Sequence, residues 1–94
     1  MRKIDLIEFG PVISDKEIGN KIYSIIKNYV DKEPVELDLS GIKSMATFCA
    51  KQVFGNLYLE LGSQKFFDRV HIKNANDDVK TIIKIGIQHA LKKD

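Results

Sequence analysis

The chain has 94 residues, 44% of them hydrophobic and 30% charged. That is the balance of one small globular domain, too apolar for disorder and too short for a catalytic domain joined to a regulatory one. Fifteen basic against thirteen acidic residues leave a net charge of +2, without the clustered basic excess that marks a nucleic-acid binder.

Ile4, Leu6, Ile7 and Phe9 form a first strand-like segment, closed by Gly10-Pro11. Ser14-Asp15-Lys16-Glu17 then has the form of a capping box, with the Ser14 hydroxyl as cap and Glu17 reaching back. Ile18, Ile22, Ile25, Ile26 and Tyr29 follow at helical spacing and predict an amphipathic helix over residues 15–31, stopped by Pro34. Val35, Leu37 and Leu39 alternate with Glu36 and Asp38 as a short buried strand ending in a Ser40-Gly41 turn. A second helix is expected to start between Ser44 and Phe48 and to run to about Leu61, with Gly62 as its C-cap. Ala50, Val53, Phe54, Leu57 and Leu61 make its apolar face. Phe66, Phe67, Val70 and Ile72 lead into and through a third strand. Asn74-Ala75-Asn76-Asp77-Asp78 supplies caps and first-turn acids for a last helix, built on Val79, Ile82, Ile83, Ile87, Ala90 and Leu91. Lys92-Lys93 reads as its cationic end.

The order βαβαβα predicts an α/β domain spanning residues 1–94. Its sheet is small, mostly parallel or mixed, with three or four strands, three helices and right-handed crossovers. Such a core is stable by about 5–10 kcal/mol. No apolar run approaches the ~18 residues of a membrane span, and Asp5 and Glu8 break any leader-like run at the start. The single cysteine, Cys49, excludes an intrachain disulfide and suits a reducing compartment, so a cytoplasmic protein is expected.

Catalytic chemistry leaves no trace in the residue pattern. His71, on the third strand, and His89, late in the last helix, are the only histidines, too few for a metal site or an acid–base set, so no metal and no cofactor are expected. Cys49 has no base beside it and reads as a small buried hydrophobe. The Leu39-Ser40-Gly41 turn carries one glycine and no phosphate-binding lysine motif. Asp38 reads as fixing that turn through nearby backbone amides. The informative stretch is Ser40 to Phe48: Ser44 and Thr47 stand near a helix N-terminus, where free N–H groups favour oxygen ligands and negative charge. As structure they are helix caps worth about 1 kcal/mol each. As a switch they are phosphoacceptors flanked by Lys43 and Lys51.

Val35-Glu36-Leu37-Asp38-Leu39-Ser40-Gly41-Ile42, followed by hydroxyls and a helix, resembles the STAS domain of anti-sigma factor antagonists. Asn74 to Val79, with Ile82, Gly86 and Ile87, looks like the segment leading into the last STAS helix. Thr47-Phe48-Cys49-Ala50, Phe54-Gly55 and Phe9-Gly10 are closer still to a STAS-like group of bacterial proteins. The similarity runs from about Phe9 to Leu91. It implies a domain that binds another protein, a histidine-kinase-like ATPase, through the surface around the start of the second helix, and a phosphorylated serine there that breaks the complex. In a gap-free comparison the Asp-Ser-Ser of the STAS phosphosite falls on Ala46, Thr47 and Phe48. The phosphoacceptor thus lands on a phenylalanine, and a slip of one residue would move it to Thr47.

The leading expectation is a non-enzymatic regulatory module whose contact surface comprises Lys43, Ser44, an exposed Met45, Thr47, Phe48 and Lys51, with Phe48 weighed as interface anchor or core and placed in the core. Ser44 and Thr47 are its candidate phosphorylation sites. Nucleic acid and membrane are not expected as partners. The alternatives are a small ligand- or nucleotide-binding domain using the strand edge at Asp38, Ser40 and Gly41, and a homodimeric structural domain.

Overall fold

The computed structural model describes residues 1–92, so Lys93 lies outside the described residues. Three parallel strands form the main sheet: β1 (Arg2–Asp5), β3 (Val35–Asp38) and β5 (Val70–Lys73), in the order β1-β3-β5. A second, two-stranded parallel pair joins β2 (Val12–Ile13) to β4 (Ser44–Met45), with Val12 opposite Ser44 and Ile13 opposite Met45. The helices are α1 (Lys16–Val30), α2 (Thr47–Ala50), α3 (Asn56–Leu61), α4 (Ser63–Arg69) and α5 (Asp77–Leu91). A π-helical turn, Lys51–Gly55, joins α2 to α3, so the second helix is continuous from Thr47 to Leu61. The α/β class, the parallel sheet and the helix order match the expectation, with α4 as an additional helix.

Alternation sorts the main sheet into two faces. Val35, Leu37 and Val70 are buried against the helices together with Ile22, Ile26, Phe54, Leu57 and Ile83. Lys3, Glu36 and His71 share one cross-strand row of the opposite face, and Asp5, Asp38 and Lys73 the next. One face is therefore dry and the other polar.

The second helix owes its π turn to spacing. Cys49, Val53, Leu57 and Leu61 recur every fourth residue, and that interval drifts by about 40° per step in a regular α-helix. A wider turn cancels most of the drift, so Cys49, Val53 and Leu57 all stay fully buried. At this turn α5 crosses very closely. A Cβ on Gly86 would lie 2.6 Å from the Ala50 carbonyl carbon and 2.7 Å from the Lys51 nitrogen. A Cβ on Gly55 would lie 2.7 Å from Ala90 Cβ.

Several local expectations are corrected. The first strand lies at Arg2–Asp5, and Leu6–Phe9 is a 3₁₀ turn that buries Leu6. Asp15, not Ser14, caps α1, its carboxylate accepting from the amides of Glu17 (2.7 Å) and Ile18 (3.4 Å). Phe66 and Phe67 belong to α4 and precede the third strand of the sheet. Gly62 ends α3 as expected, with φ 82°.

Candidate functional site

The Ser40–Phe48 segment is pinned from three sides. Asp38 sits at the end of β3, where its carboxylate accepts from the Ser40 amide at 2.9 Å and from the Asn74 carboxamide at 3.1 Å, and pairs with Lys3 Nζ at 3.5 Å. Asn74 takes a left-handed φ of 61°, a conformation that asparagine tolerates. Gly41 follows with φ 83°, and a side chain there would also strike Ile7 Cδ1 at 2.9 Å. The backbone then runs along the Pro11–Ile13 segment. Lys43 N donates to Pro11 O (2.6 Å), and Ala46 N to Ile13 O (2.8 Å). From the other side Asn76 Nδ2 donates to Ile42 O (3.1 Å) and Lys43 O (3.4 Å), while its Oδ1 accepts from Val79 N (2.8 Å) and caps α5. One side chain thus ties the loop to the last helix.

That frame places the expected surface residues unequally. Lys43, Ser44, Phe48 and Lys51 are exposed and Thr47 is partly buried. Met45 is only 5% exposed, because β4 pairs with β2 and turns every second side chain inward. It belongs to the core and offers no contact. Phe48 is 54% exposed and stands outside the core where it was expected. It precedes the Cys49–Val53–Leu57 stripe and shares its own helix face with Lys51 and Gln52 instead. Neither Ser44 nor Thr47 caps the second helix. Ala46 occupies the cap position, where no side chain accepts from the first turn, and Ser44 lies in β4. The hydroxyls are left without the capping role.

Beside Phe48 the surface forms a shallow groove of about 340 Å³, lined also by Lys16, Lys51, Gln52 and Asn56. The Gln52 carboxamide stitches α1 to the second helix, donating from Nε2 to Lys16 O (3.1 Å) and Asn20 Oδ1 (2.5 Å). Its Oε1 is buried without a hydrogen-bond partner among the described residues, in the space left by Gly19. Neither Lys16 nor Asn56 stands out in the sequence as a site residue. Lys16 reads as one of several lysines on the polar face of α1, and only packing of α1 against the second helix brings it to Phe48.

Burial pushes the Cys49 thiol above its ordinary pKa, and the Asp15 charge adds to the shift. Cys49 is buried, with Sγ 3.6 Å from Asp15 O, and behaves as a packing residue. His71 Nε2 lies 3.0 Å from the Asp68 carbonyl, and His89 is exposed in the last turn of α5. Tyr23 donates to Glu60, which also pairs with Lys27 (3.0 Å). The Glu60 carboxylate pushes the Tyr23 phenol up to about 12.

The Ser40 amide, then the Ser40 hydroxyl and the Asn74 carboxamide, hold the Asp38 carboxyl well below the usual carboxylate range. A pKa that is lower in the folded than in the unfolded chain stabilises the fold fully above the unfolded value, 3.8. That contribution is lost as the pH falls through the lower folded value. Asp38→Asn is therefore expected to be less stable than the parent at neutral pH, with the difference shrinking as the pH drops below about 4. Urea midpoints measured across the acid range test this, and a difference that does not change with pH would remove Asp38 from its role at the turn.

The polar groups at this strand edge bond one another, so Asp38, Ser40 and Gly41 act as the brace of the neighbouring surface. No helix among the described residues is long and apolar enough to cross a membrane. The profile of a family described as a STAS-like domain of unknown function (DUF4325) matches residues 19–80, about two thirds of the chain. Comparison with curated proteins and with solved structures gave no match.

Proposed function

We propose, from the premise that this chain belongs to that STAS-like family, that it is a non-enzymatic, cytoplasmic regulatory module which binds a protein partner through the surface at the start of its second helix. The observation that carries this reading is Phe48, a large apolar side chain 54% exposed on a braced element, with Lys16 and Lys51 lining the same groove and no carboxylate lining it among the described residues. Aromatic anchors bordered by polar groups are the usual energetic centres of interfaces. Lysines around one select a partner with acidic groups there. The resemblance to anti-sigma factor antagonists supports a histidine-kinase-like ATPase as that partner.

Thr47, beside the anchor, is the phosphoacceptor of this reading, and Ser44 on the exposed end of β4 is the second candidate. A phosphate on Thr47 adds nearly two negative charges next to Lys51 and Phe48. It would repel an acidic partner and leave the pinned loop in place.

Affinity capture from the native lysate, followed by titration of the captured protein, tests the reading. Phe48→Asp and Lys51→Glu are each expected to weaken binding about tenfold, with melting temperatures near the parent's because both residues are exposed. Thr47→Asp is expected to weaken it in the same direction. A partner that binds folded Phe48→Asp as tightly as the parent would discard this surface. An unaffected Thr47→Asp would discard the switch and keep the docking role.

A further inference from the structure

A second surface shares no lining residue with the Phe48 groove. Phe67 is 64% exposed on α4 and packs edge-on against buried Phe66, with ring centroids 5.4 Å apart. Ile72 of β5 and Ile83 and Ile87 of α5 continue the same apolar wall, enclosing a groove of about 280 Å³ whose charged lining residues, among the described ones, are Lys80 and Lys84. The groove lies along an open strand. β5 is the last strand of the main sheet and, among the described residues, pairs only with β3, so its outer edge offers backbone groups to a further strand. The opposite edge, β1, carries Arg2, Lys3 and Asp5, exposed charges that deter pairing. β5 has no such row facing the groove.

Alternation defines what fits. Ile72 points into the groove, so His71 and Lys73 point to the polar face of the sheet. A strand added beside β5 would place one set of alternate side chains in the apolar groove under Lys80 and Lys84. Its other set would lie beside His71 and Lys73. A second copy of this chain is disfavoured, because pairing this edge with itself would bring two sets of Lys73, Lys80 and Lys84 into one contact. We infer that the β5 edge and its groove bind an extended segment of a partner protein in which apolar residues alternate with aspartate or glutamate, by strand addition.

The probe is a short synthetic peptide alternating valine with glutamate, compared with one alternating valine with lysine, both titrated into the ¹⁵N-labelled protein. Saturable shifts are expected in the amides of β5 and around Phe67, Lys80 and Lys84, with the lysine peptide at least tenfold weaker. Lys73→Glu is expected to weaken the glutamate peptide about tenfold, and Phe67→Asp to abolish binding, both at exposed positions. The inference is overturned by equal binding of both peptides, by shifts centred on Phe48 instead, or by no saturation up to about 1 mM. It is also overturned by sedimentation showing that the protein itself dimerises through this groove and that Phe67→Asp abolishes the dimer.

Discussion

Gly86→Ala is expected to destabilise the domain by about 2 kcal/mol, although alanine is the better helix former. Two terms compete. In a helix interior the substitution gains about 1 kcal/mol of intrinsic propensity. Against that, the new methyl would lie 2.6 Å from the Ala50 carbonyl carbon and 2.7 Å from the Lys51 nitrogen. Both obstacles are backbone, so no side-chain rotation relieves the clash. The second helix and α5 must move apart, an overpacking cost of about 3 kcal/mol. The clash wins, and the sign is opposite to the one propensity predicts. Urea denaturation reads the result as a lowered midpoint with an unchanged slope. Lys84→Ala, exposed on the same helix, is the control and should stay within about 0.5 kcal/mol of the parent. A Gly86→Ala protein as stable as the parent would mean that the two helices do not approach this closely.

Asn76→Ala is expected to cost about 2 kcal/mol and to loosen the docking surface as well. Loss of the cap on Val79 N accounts for about 1 kcal/mol, and loss of the bonds to the carbonyls of Ile42 and Lys43 for about another. Asn76→Asp separates the two. Its carboxylate still caps the helix, where negative charge is favoured, but it has no N–H to donate to the loop. The aspartate variant should therefore recover most of the capping stability while the amides of Ile42, Lys43 and Ser44 exchange faster with solvent than in the parent. Equal loop exchange in all three proteins would show that the Pro11–Ile13 strand pair alone holds the segment.

Much of this frame was legible in the residues, and the gaps have physical causes. Pro34, Gly62 and Asn76 marked element boundaries because each acts locally, through a fixed φ, a left-handed cap and a side-chain acceptor. The pair β2–β4 left no periodic signal, because a two-residue strand cannot alternate visibly and its existence depends on a partner about thirty residues away. Phe66 and Phe67 suggested a strand because aromatic residues favour strands, but packing of α4 beside α3 overrode that preference. At the candidate site, Met45 and Phe48 exchanged the environments expected of them. The hidden strand turned Met45 inward. Phe48 carried its own signal, since its i+3 and i+4 neighbours are Lys51 and Gln52 whereas those of Cys49 are Gln52 and Val53. The widened turn at Lys51–Gly55 was not expected, because the apolar face of Ala50, Val53, Phe54, Leu57 and Leu61 also fits a regular α-helix.

That widened turn has an evolutionary consequence. A π turn amounts to one residue inserted into an α-helix, and losing that residue rewinds the helix by about a quarter of a revolution. Lys51–Gly55 lies between the half of the helix that presents Phe48 and the half that anchors Leu57 in the core. A single-codon deletion within it would turn Phe48 toward a different quarter of the surface and would swing buried Cys49 and Ala50 out of the core with it. Lineages that keep Phe48 on the surface are therefore expected to keep this residue too, because its loss disturbs the docking face and the core together.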